Sequence, residues 1–452
     1  MTFKIDPNAN RIIDVLAANG FEAFAVGGCV RDALMGLVPH DWDICTNAKP
    51  EQIKSCFAEE NTFDSGLKHG TISVVFDKSV YEVTTYRIDG EYDDNRHPRQ
   101  VTFTDDIKLD LSRRDFTVNA MAYNDSRGLI DPFGGAEDLK KNLLRCVGDP
   151  DKRFSEDALR IMRGLRFAST YGFTVEENTA LSIKNNAALL HNIASERISV
   201  ELNRLLCGDG AEDILNRFRD VIAEVIPEII PTFDCPQNTP HHKYFVWEHI
   251  THSVGLVPKD EILRMVMLLH DLGKPRARTT DETGRDHFKR HPKYSVEMAR
   301  EILHRLKYSN AFIDDCLILI EKHDLRFNGS IKQVKRVLQQ LGEENARRLF
   351  SVQRADIMAQ SVYLREEKLA AVDLAEAQLE EIISQDQCFS LKNLAVNGRD
   401  LINIDITDGK QIGFVLNALL DEVIENDFPN DKKALLERAE IISKDNRAMP
   451  LT

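Results

Sequence analysis

"AFAVGGCVRDALMGLVPHDWDICT" (residues 23–46) is the stretch that decides the fold of the N-terminal part of this chain. An apolar run ends at Gly27 and Gly28, a short helical pattern follows, and Asp41 and Asp43 then stand one residue apart. On a β-strand, residues i and i+2 point to the same face, so a strand through "DWDICT" would project both carboxylates side by side. Like charges held so closely repel each other, which predicts that a cation lies between them.

The residues around this carboxylate pair favour a site for metal ions and phosphate. Oxygen ligands at this spacing suit Mg²⁺, and two such ions can hold the attacking and leaving oxygens of a phosphoryl displacement. The neighbouring strand "YEVTTYR" offers Glu82 as a third carboxylate. Gly27 and Gly28 would let backbone N–H groups approach a triphosphate at a helix N-terminus, where Arg31 could add positive charge. The alternative is a plain turn followed by a surface Asp-x-Asp.

Length and composition limit the class of protein. The chain has 452 residues, which is too many for one core and predicts two to four domains. No apolar run reaches the roughly 18 residues of a membrane helix, and the N-terminus lacks a basic region followed by an apolar core. Eight cysteines without a Cys-x-x-Cys pair indicate reduced thiols, so we expect a cytoplasmic protein with no membrane partner.

The net charge of −15 taken alone argues against nucleic-acid binding, because phosphate contacts need Lys and Arg. Binding is local, however, and net charge is a sum over the whole chain. The segment 325–350 carries six basic and two acidic residues, which keeps an RNA-binding surface open as an interpretation.

The pattern along the chain predicts an α/β head followed by an all-α body. Helix and strand signals alternate over the first 145 residues, helical spacing dominates afterwards, and a proline-spaced stretch at 226–243 marks a boundary. "FTVNAMAYN" (116–124) fits either a strand or the start of a helix. We divide the chain into an α/β head, a helical neck, a third helical domain and a helical tail, at 1–145, 146–228, 229–362 and 363–452.

Five motifs in order carry a family resemblance. The combination G-G-x-V-R-D followed by D-x-D resembles the nucleotidyltransferase superfamily related to DNA polymerase β. The motifs that follow are "DLSRRDFTVNAMAYN" (110–124), "DPFGGAEDL" (131–139), "RFSEDALRIMRGLRF" (153–167) and "ERISVEL" (196–202). Together they resemble the motif series of class II CCA-adding enzymes and bacterial poly(A) polymerases, over about residues 20–206.

This resemblance implies an activity and a set of site residues. It implies addition of CCA to tRNA 3′ ends from CTP and ATP, without a nucleic-acid template and with release of pyrophosphate. It gives the catalytic and Mg²⁺-binding role to Asp41 and Asp43, and places Arg114 and Asp115 near the sugar and phosphates. The remaining candidates for nucleotide binding in these motifs are Asn119, Asp157, Arg160 and Arg163.

Asp157 and Arg160 matter most for specificity. We expect them at i and i+3 on one helix, where a carboxylate acceptor and a guanidinium donor share a face. Such a pair can complement the base edge of both cytosine and adenine, and the pattern is reversed in uracil and guanine. The resemblance implies that this pair serves as an amino-acid template. The alternative is an ordinary salt bridge.

The polar stretch "RIDGEYDDNRHPRQ" (87–100) reads as a mobile loop. The resemblance implies a loop here that couples nucleotide choice to closure. Arg96 and Arg99 could meet phosphate there, and the alternative is a solvated loop.

A second series of histidines and carboxylates runs through the body. Its motifs are "EHITHSV" (248–254), "LLHDLGKP" (268–275), "FKRHPKYSVEMA" (288–299), "EKHD" (321–324) and "RADIMAQ" (354–360). The side chains of His270 and Asp271 point about 100° apart on a helix, so other helices must complete a shared site. His249 and Asp356 are the expected completing ligands.

His291 and His323 would hold a second metal or a phosphate. Histidine with carboxylate ligation suits a divalent transition metal or Mg²⁺. The series resembles HD-superfamily metal-dependent phosphohydrolases, and some class II CCA-adding enzymes carry such a domain. The alternative is a helical domain that keeps the HD fold and binds RNA only.

The C-terminal stretch 394–440 also resembles the tail of this family. We expect Gly409 and Gly413 before the helix "FVLNALLDEVI", as a phosphate-backbone site or as a packing turn. Asp405 stands where relatives usually place a glycine.

Four functions follow from these motifs. The first is CCA addition to tRNA, and the second is a poly(A) polymerase of the same fold. The third is an enzyme that adds only CC or only A. From another class, the chain could be an HD phosphohydrolase with a nucleotide-binding head. The oligomeric state stays open.

Overall fold

The computed structural model describes residues 4–66, 69–90, 100–425 and 427–447. Arg96 and Arg99, expected from the sequence to contact phosphate, lie outside the described residues. The chain divides into two compact units, one of Met1–Ile230 with Arg305–Tyr308 and one of Pro231–His304 with Ser309–Thr452.

The first unit begins with the strands and helices of the head. Its strands are β1 Ala23–Val26, β2 Ile44–Thr46, β3 Asn61–Gly66, β4 Thr71–Phe76, β5 Ser79–Thr85, β6 Arg87–Asp89, β7 Val101–Phe103, β8 Ala122–Asn124, β9 Gly128–Ile130, β10 Leu143–Leu144 and β11 Thr174–Val175. Its helices are α1 Pro7–Ala18, α2 Gly28–Leu34, α3 Pro50–Cys56, α4 Ile107–Ser112, α5 Gly135–Lys140, α6 Pro150–Glu156, α7 Leu159–Tyr171, α8 Glu177–Asn185, α9 Ser195–Leu206, α10 Ala211–Arg217 and α11 Arg219–Val225.

A seven-stranded mixed sheet forms the head, in the order β3-β4-β5-β2-β1-β8-β9. The β2–β5 pair is parallel and the other neighbouring pairs are antiparallel. Alternation of side chains along β1 and β2 gives the sheet two apolar faces. Ala23, Ala25 and Ile44 belong to one buried cluster, whereas Phe24 and Cys45 belong to the other.

Helix α1 shows why the first of these faces closes. Its Ala9, Ile12 and Leu16 recur at helical spacing and are fully buried in the cluster with Ala25 and Ile44. The side chain of Asp6 caps the helix by accepting from the N–H groups of Asn8 and Ala9 at 3.0 Å.

The second unit is helical apart from one short ribbon. Its helices are α12 Val246–Leu256, α13 Glu261–Leu269, α14 Lys274–Ala277, α15 His291–Arg305, α16 Asn310–Lys322, α17 Ile331–Ala359, α18 Arg365–Ser384, α19 Gly398–Ile402, α20 Gly409–Glu425 and α21 Lys432–Arg447. The ribbon pairs β12 Thr279–Thr280 with β13 Asp286–His287. An α/β head followed by a helical body is the predicted class. Over the described part of the body, the strands that the all-α expectation misses are this ribbon and the β10–β11 pair.

Several local predictions are wrong. Strand β2 begins at Ile44, so Asp41 and Asp43 precede the strand instead of lying within it. The segment 116–124, left open between strand and helix, contains a 3₁₀ turn at Thr117–Asn119 and then β8. Helix α20 begins at Gly409 and includes Gly413, whereas both glycines were expected before it.

Asp405 has a left-handed backbone, with φ of 65°. A glycine is favoured at such a position because it has no Cβ to clash. The turn therefore keeps a glycine-like conformation although this chain has an aspartate there.

The basic segment 325–350 is largely neutralised within its own unit. Lys332 lies 2.8 Å from Asp427, and Arg336 pairs with both Asp421 and Glu425. Arg347 and Arg348 likewise pair with glutamates. Most of the cations that the sequence offered to RNA thus pair with carboxylates of the same unit.

The cysteines and the helices give two further findings. All eight cysteines are free thiols. Among the described residues, no helix is both long and apolar enough to cross a membrane.

Candidate active site and metal centre

The Gly27 turn and Arg114 form the first part of the head site. Gly27 links β1 to α2 with φ of 81°, and its N–H donates to the carbonyl of Met121 at 3.0 Å. A Cβ at Gly27 would lie 2.6 Å from Nη1 of Arg114. The glycine is therefore needed both for its backbone conformation and for the space that the guanidinium occupies.

Asp41, Asp43 and Glu82 lie at the same edge of the sheet. The backbone carbonyl of Asp43 accepts from the N–H of Val26 at 2.9 Å, which holds it beside β1. The β2–β5 register begins with Ile44 opposite Val83, so Asp43, which precedes β2, comes next to Glu82 within β5. All three residues are exposed to solvent.

Electrostatics couple these three carboxylates. Loss of solvation raises the pKa of Asp43. The positive charge of Arg114 lowers this pKa, and the negative charge of Asp41 raises it. Limited hydration also raises the pKa of Glu82, followed by the charges of Asp43 and Asp41. A cluster of carboxylates that disfavour one another's charge is suited to a divalent cation. Within the described ranges, two groups of potential ligands have all their atoms within 4.8 Å of one another, and neither contains these residues.

Asp115 is the buried anion of the head site. Arg163 donates twice to its Oδ2, at 2.9 and 2.8 Å, and Asn119 donates to its Oδ1 at 3.1 Å. Burial alone would raise the pKa of this carboxyl, but Arg163 and the hydrogen bonds lower it to about 2. Asp115 is thus a fixed negative charge that orients Arg163.

Arg31 is buried and bonded to protein groups on all sides. It donates to Asp32 at 2.7 and 2.9 Å, to Oδ1 of Asn119 at 2.6 Å and to the hydroxyl of Tyr171 at 2.7 Å. The side chain expected to add charge for a triphosphate is therefore used to tie α2 to neighbouring elements. The seven-residue α2 presents its N-terminus at Gly28.

Asp157 and Arg160 do not share one helix. Helix α6 ends at Glu156, Asp157 has an extended backbone with φ of −138°, and α7 begins at Leu159. Their side chains form no ion pair, because the Asp157 carboxylate lies 3.7 Å from Arg197 and accepts from the N–H of Leu159 at 3.1 Å. Both the shared-face prediction and the simple salt-bridge alternative are therefore wrong.

Arg160 points into the protein. It donates to the carbonyls of Arg113 and Arg153 at 2.8 and 3.1 Å and to Glu156 at 2.9 Å. Arg163, by contrast, keeps about a third of its side chain exposed.

In the second unit, four of the predicted ligands form one buried group. Nε2 of His249 lies 3.2 Å from Asp271 and 3.0 Å from Asp356. Nε2 of His270 lies 3.2 Å from Asp271 and 3.7 Å from Asp356. Helices α12 and α17 supply His249 and Asp356. His270 and Asp271 lie in the turn that follows α13, which ends at Leu269, and not on a helix as the sequence predicted.

Asp271 also belongs to a second group with His291 and His323. Nε2 of His291 lies 3.2 Å from the other carboxylate oxygen of Asp271, and Nε2 of His323 lies 3.7 Å from it. The two imidazole nitrogens are 3.0 Å apart. Each of the two carboxylate oxygens therefore faces one pair of histidines.

The histidines are oriented by their backbone partners. Nδ1 of His270, His291 and His323 lies 2.7 to 2.9 Å from a main-chain carbonyl three residues earlier. Nδ1 of His249 lies 3.4 Å from the carbonyl of Ala359. These contacts at Nδ1 point Nε2 of each ring at the centre of the cluster, as in metal sites.

The charges of this cluster fit a metal. Burial favours a neutral carboxyl, yet His270 and Lys274 hold the pKa of Asp271 well below its usual range. Burial likewise opposes protonation of His270, but Asp271 raises the pKa of that imidazole to about 9. Both carboxylate oxygens of Asp271 are buried, and they face Lys274 at 2.6 Å and the Nε2 atoms of four histidines at 3.2 to 3.7 Å. A buried charge in that state needs a cation, and histidine with carboxylate is a ligand set for divalent metals.

Two residues of this centre were not predicted. Lys274 lies 2.6 Å from Asp271 and is buried, and the side-chain amide of Gln360 donates to Asp356 at 2.7 Å. Lys274 lies three residues after Asp271 in the motif "HDLGKP", so this motif could have indicated the lysine. No sequence pattern singled out Gln360. The cluster opens into a cavity of about 380 Å³ whose lining includes Arg285, Lys289, Arg326 and Lys368.

Three known family models match successive parts of the chain. Residues 23–145 match the family described as "Poly A polymerase head domain". Residues 172–230 match a description for the RNA and SrmB binding site of polymerase A, and residues 289–439 match one for domain 2 of tRNA nucleotidyltransferases.

Curated relatives align over almost the whole chain. The CCA-adding enzyme of Enterococcus faecalis is 33% identical over 434 residues, which cover 94% of this chain and 93% of that protein. The CCA-adding enzyme of Lactiplantibacillus plantarum is 33% identical over 442 residues, or 96% of each chain.

Solved structures agree as well. The Bacillus stearothermophilus CCA-adding enzyme in complex with CTP is 28% identical, with a TM-score of 0.73 over 98% of this chain and 100% of that one. The Thermotoga maritima CCA-adding enzyme complexed with tRNA is 21% identical with a TM-score of 0.60, a likeness of fold.

Proposed function

This chain belongs to the CCA-adding enzyme family, and from that premise we propose that it adds cytidine, cytidine and adenosine to the 3′ end of tRNA. The substrates are CTP, ATP and the tRNA end, and the sequence added is chosen without a nucleic-acid template. In each step the 3′ oxygen bonds to the α-phosphorus, the bond to the β-phosphate breaks, and pyrophosphate leaves. The hydroxyl proton is lost to solvent.

The exposed carboxylates of the head support this function. We assign the binding of divalent ions, with Mg²⁺ as the expected metal, to Asp41, Asp43 and Glu82. When bound, such ions neutralise the triphosphate and polarise the attacking hydroxyl. Arg114 lies in the space left by Gly27 and supplies the nearest fixed positive charge to Asp43.

Choice of the base is assigned to Asp157 together with Arg160. Asp157 is half-buried and Arg160 is bonded to Glu156, so the guanidinium must exchange that bond for the base when a nucleotide enters. Arg163, held by Asp115, is assigned to the nucleotide as well.

The test is incorporation of labelled nucleotides into tRNA that lacks its 3′ CCA. With Mg²⁺ and all four NTPs present, and each NTP labelled in turn, we expect incorporation of C and A that stops after three residues. Asp41→Ala should abolish it, whereas Asp14→Ala, an exposed carboxylate on α1, should not. Long A tracts would instead favour a poly(A) polymerase, and a stop after two residues or one would favour partial addition. Activity that survives Asp41→Ala would remove the assigned metal site.

A second activity is favoured by the buried histidine–aspartate cluster. We propose that residues 229–362 form an HD domain whose histidines and aspartates would hold divalent metal, and that residues 363–452 form the tRNA-binding tail. Divalent metal there would supply an activated water for hydrolysis of a phosphoester. The position of the buried Asp271 carboxylate, with one oxygen facing each pair of histidines, supports the proposal.

Metal analysis tests this proposal. The purified protein should retain divalent metal after dialysis, and His270→Ala or Asp271→Ala should lower the metal content. His304→Ala, an exposed histidine on α15, is the matched control. Hydrolysis of bis-(p-nitrophenyl) phosphate should follow the metal content. Equal metal content in all variants would reduce the cluster to a scaffold.

A further inference from the structure

Tyr171 lies at the C-terminal end of α7 and reaches back to the glycine turn of the head. Its hydroxyl accepts from Nη2 of Arg31 at 2.7 Å, and its ring lies under the same guanidinium at 4.5 Å from the centroid. Arg31 is buried, with 4% of the residue exposed, so this contact is shielded from water. The tyrosine therefore combines a hydrogen bond with a cation–π contact on one group.

From Arg31 a chain of hydrogen bonds returns to α7. Nη1 of Arg31 donates to Oδ1 of Asn119 at 2.6 Å, and Nδ2 of Asn119 donates to Asp115 at 3.1 Å. Asp115 in turn holds Arg163, which lies eight residues before Tyr171 on the same helix. The path leaves α7 at Tyr171, crosses α2 and the 3₁₀ turn, and rejoins α7 at Arg163, so it is closed.

Phe167 lies inside this closed path. Three guanidinium groups surround its ring, with Arg166 at 4.2 Å, Arg31 at 5.1 Å and Arg163 at 5.2 Å from the centroid. Each guanidinium has its own carboxylate, at 3.0 Å or less. These partners are Glu201, Asp32 and Asp115 respectively.

We propose that Tyr171 is a positioning residue for nucleotide addition: it fixes Arg31 and, through Asn119 and Asp115, the direction of Arg163. The inference rests on the proposed function of the head. An arginine side chain has several rotatable bonds, and only a network of fixed partners gives its fork one direction. In a buried network each hydrogen bond strengthens its neighbours, so loss of the Tyr171 hydroxyl is transmitted to Asp115 and Arg163.

Tyr171→Phe tests the proposal, because it removes the hydroxyl and keeps the ring. We expect the KM for CTP and for ATP to rise by about tenfold, in line with the loss of one hydrogen bond to a charged group. The KM for tRNA should stay unchanged, since Arg163 is assigned to the nucleotide. Tyr81→Phe is the matched control, because the Tyr81 hydroxyl also bonds to a charged group, the carboxylate of Asp6, in the same unit at 2.9 Å.

A double-mutant cycle separates positioning from general stability. In an Arg31→Lys background, Tyr171→Phe should have little further effect on the KM for CTP, because the path is already broken. Independent, multiplicative effects would overturn the proposal, as would equal KM values in Tyr171→Phe and Tyr81→Phe. A wild-type protein without nucleotide incorporation would instead contradict the proposed function of the head.

Discussion

The guanidinium of Arg114 lies where a side chain on Gly27 would be: a methyl group on Gly27 would lie 2.6 Å from its Nη1. Arg114 in turn is the cation that lowers the pKa of Asp43. The absence of a side chain at Gly27 thus leaves room for the positively charged guanidinium of Arg114.

Gly27→Ala should therefore lose nucleotide addition as well as stability. Gly27 has φ of 81° and ψ of −128°, outside the left-handed helical region, so alanine there costs about 1–3 kcal/mol, and displacement of Arg114 adds to this strain. Gly20→Ala is the matched control, because Gly20 has φ of 85° and a Cβ added there would meet nothing within 4 Å. Incorporation of labelled CTP should fall at least tenfold in Gly27→Ala and remain near wild type in Gly20→Ala. Equal activity in the two variants would contradict the steric role.

Asp115→Asn should destabilise the protein in a pH-dependent way. The pKa of this carboxyl falls from 3.8 to about 2 on folding, a difference worth ~2 kcal/mol. Because the folded pKa is the lower one, this stability is fully present above pH 4 and is lost as the pH falls towards 2. Urea unfolding should show the full penalty at pH 7 and a smaller one at pH 3. Asp14→Asn controls for the loss of one charge, and a penalty that does not change with pH would contradict the ion-pair role.

Gln360→Leu should weaken metal binding without touching a ligand. Its amide donates to Asp356 at 2.7 Å, and partners that orient a metal ligand typically contribute 10–100-fold to affinity. Calorimetric titration with Mn²⁺ should show a loss of roughly that size. Gln385→Leu, an exposed glutamine at the end of α18, is the control. Nucleotide addition by the head should be equal in both variants, and unchanged Mn²⁺ affinity in Gln360→Leu would contradict the prediction.

Arg336→Gln should affect stability only slightly and tRNA binding hardly at all. Its guanidinium pairs with Asp421 and Glu425 at the surface, and such pairs contribute about 0 to 1 kcal/mol, less in high salt. The loss in unfolding free energy should therefore disappear at high salt, on the order of 0.5 M NaCl. The Kd for tRNA should change by less than about twofold, because the paired cation makes no phosphate contact. A tenfold weaker Kd would restore segment 325–350 as an RNA-binding surface.

The sequence was sufficient for the fold class and for the grouping of the metal ligands. Strand alternation and helical spacing are local, so an α/β head and a helical body follow directly from them. The histidine–aspartate series carried enough spaced positions to predict that His249, His270 and Asp356 meet Asp271, and the structure brings them together. Lys274 was visible beside this pair but received no role.

Other parts of the site depend on contacts between distant residues. The break at Asp157 interrupts a run that periodicity alone reads as one helix: Asp157 is extended, and its side chain accepts from the N–H of Leu159 at the start of α7. The role of Arg31 depends on Tyr171, which lies 140 residues away in sequence. No local pattern reports such a partner, so a basic residue beside a glycine turn was interpreted as a phosphate contact.

The sharing of Asp271 has a practical consequence. One residue, Asp271, belongs to both halves of the histidine–aspartate centre, because each oxygen of its carboxylate faces a different pair of imidazoles. An engineer who wishes to silence this centre and leave tRNA-end synthesis intact needs one substitution there, whereas removing the histidines would take four. To change one half of the centre without the other, the single aspartate would have to be replaced by two separate ligands.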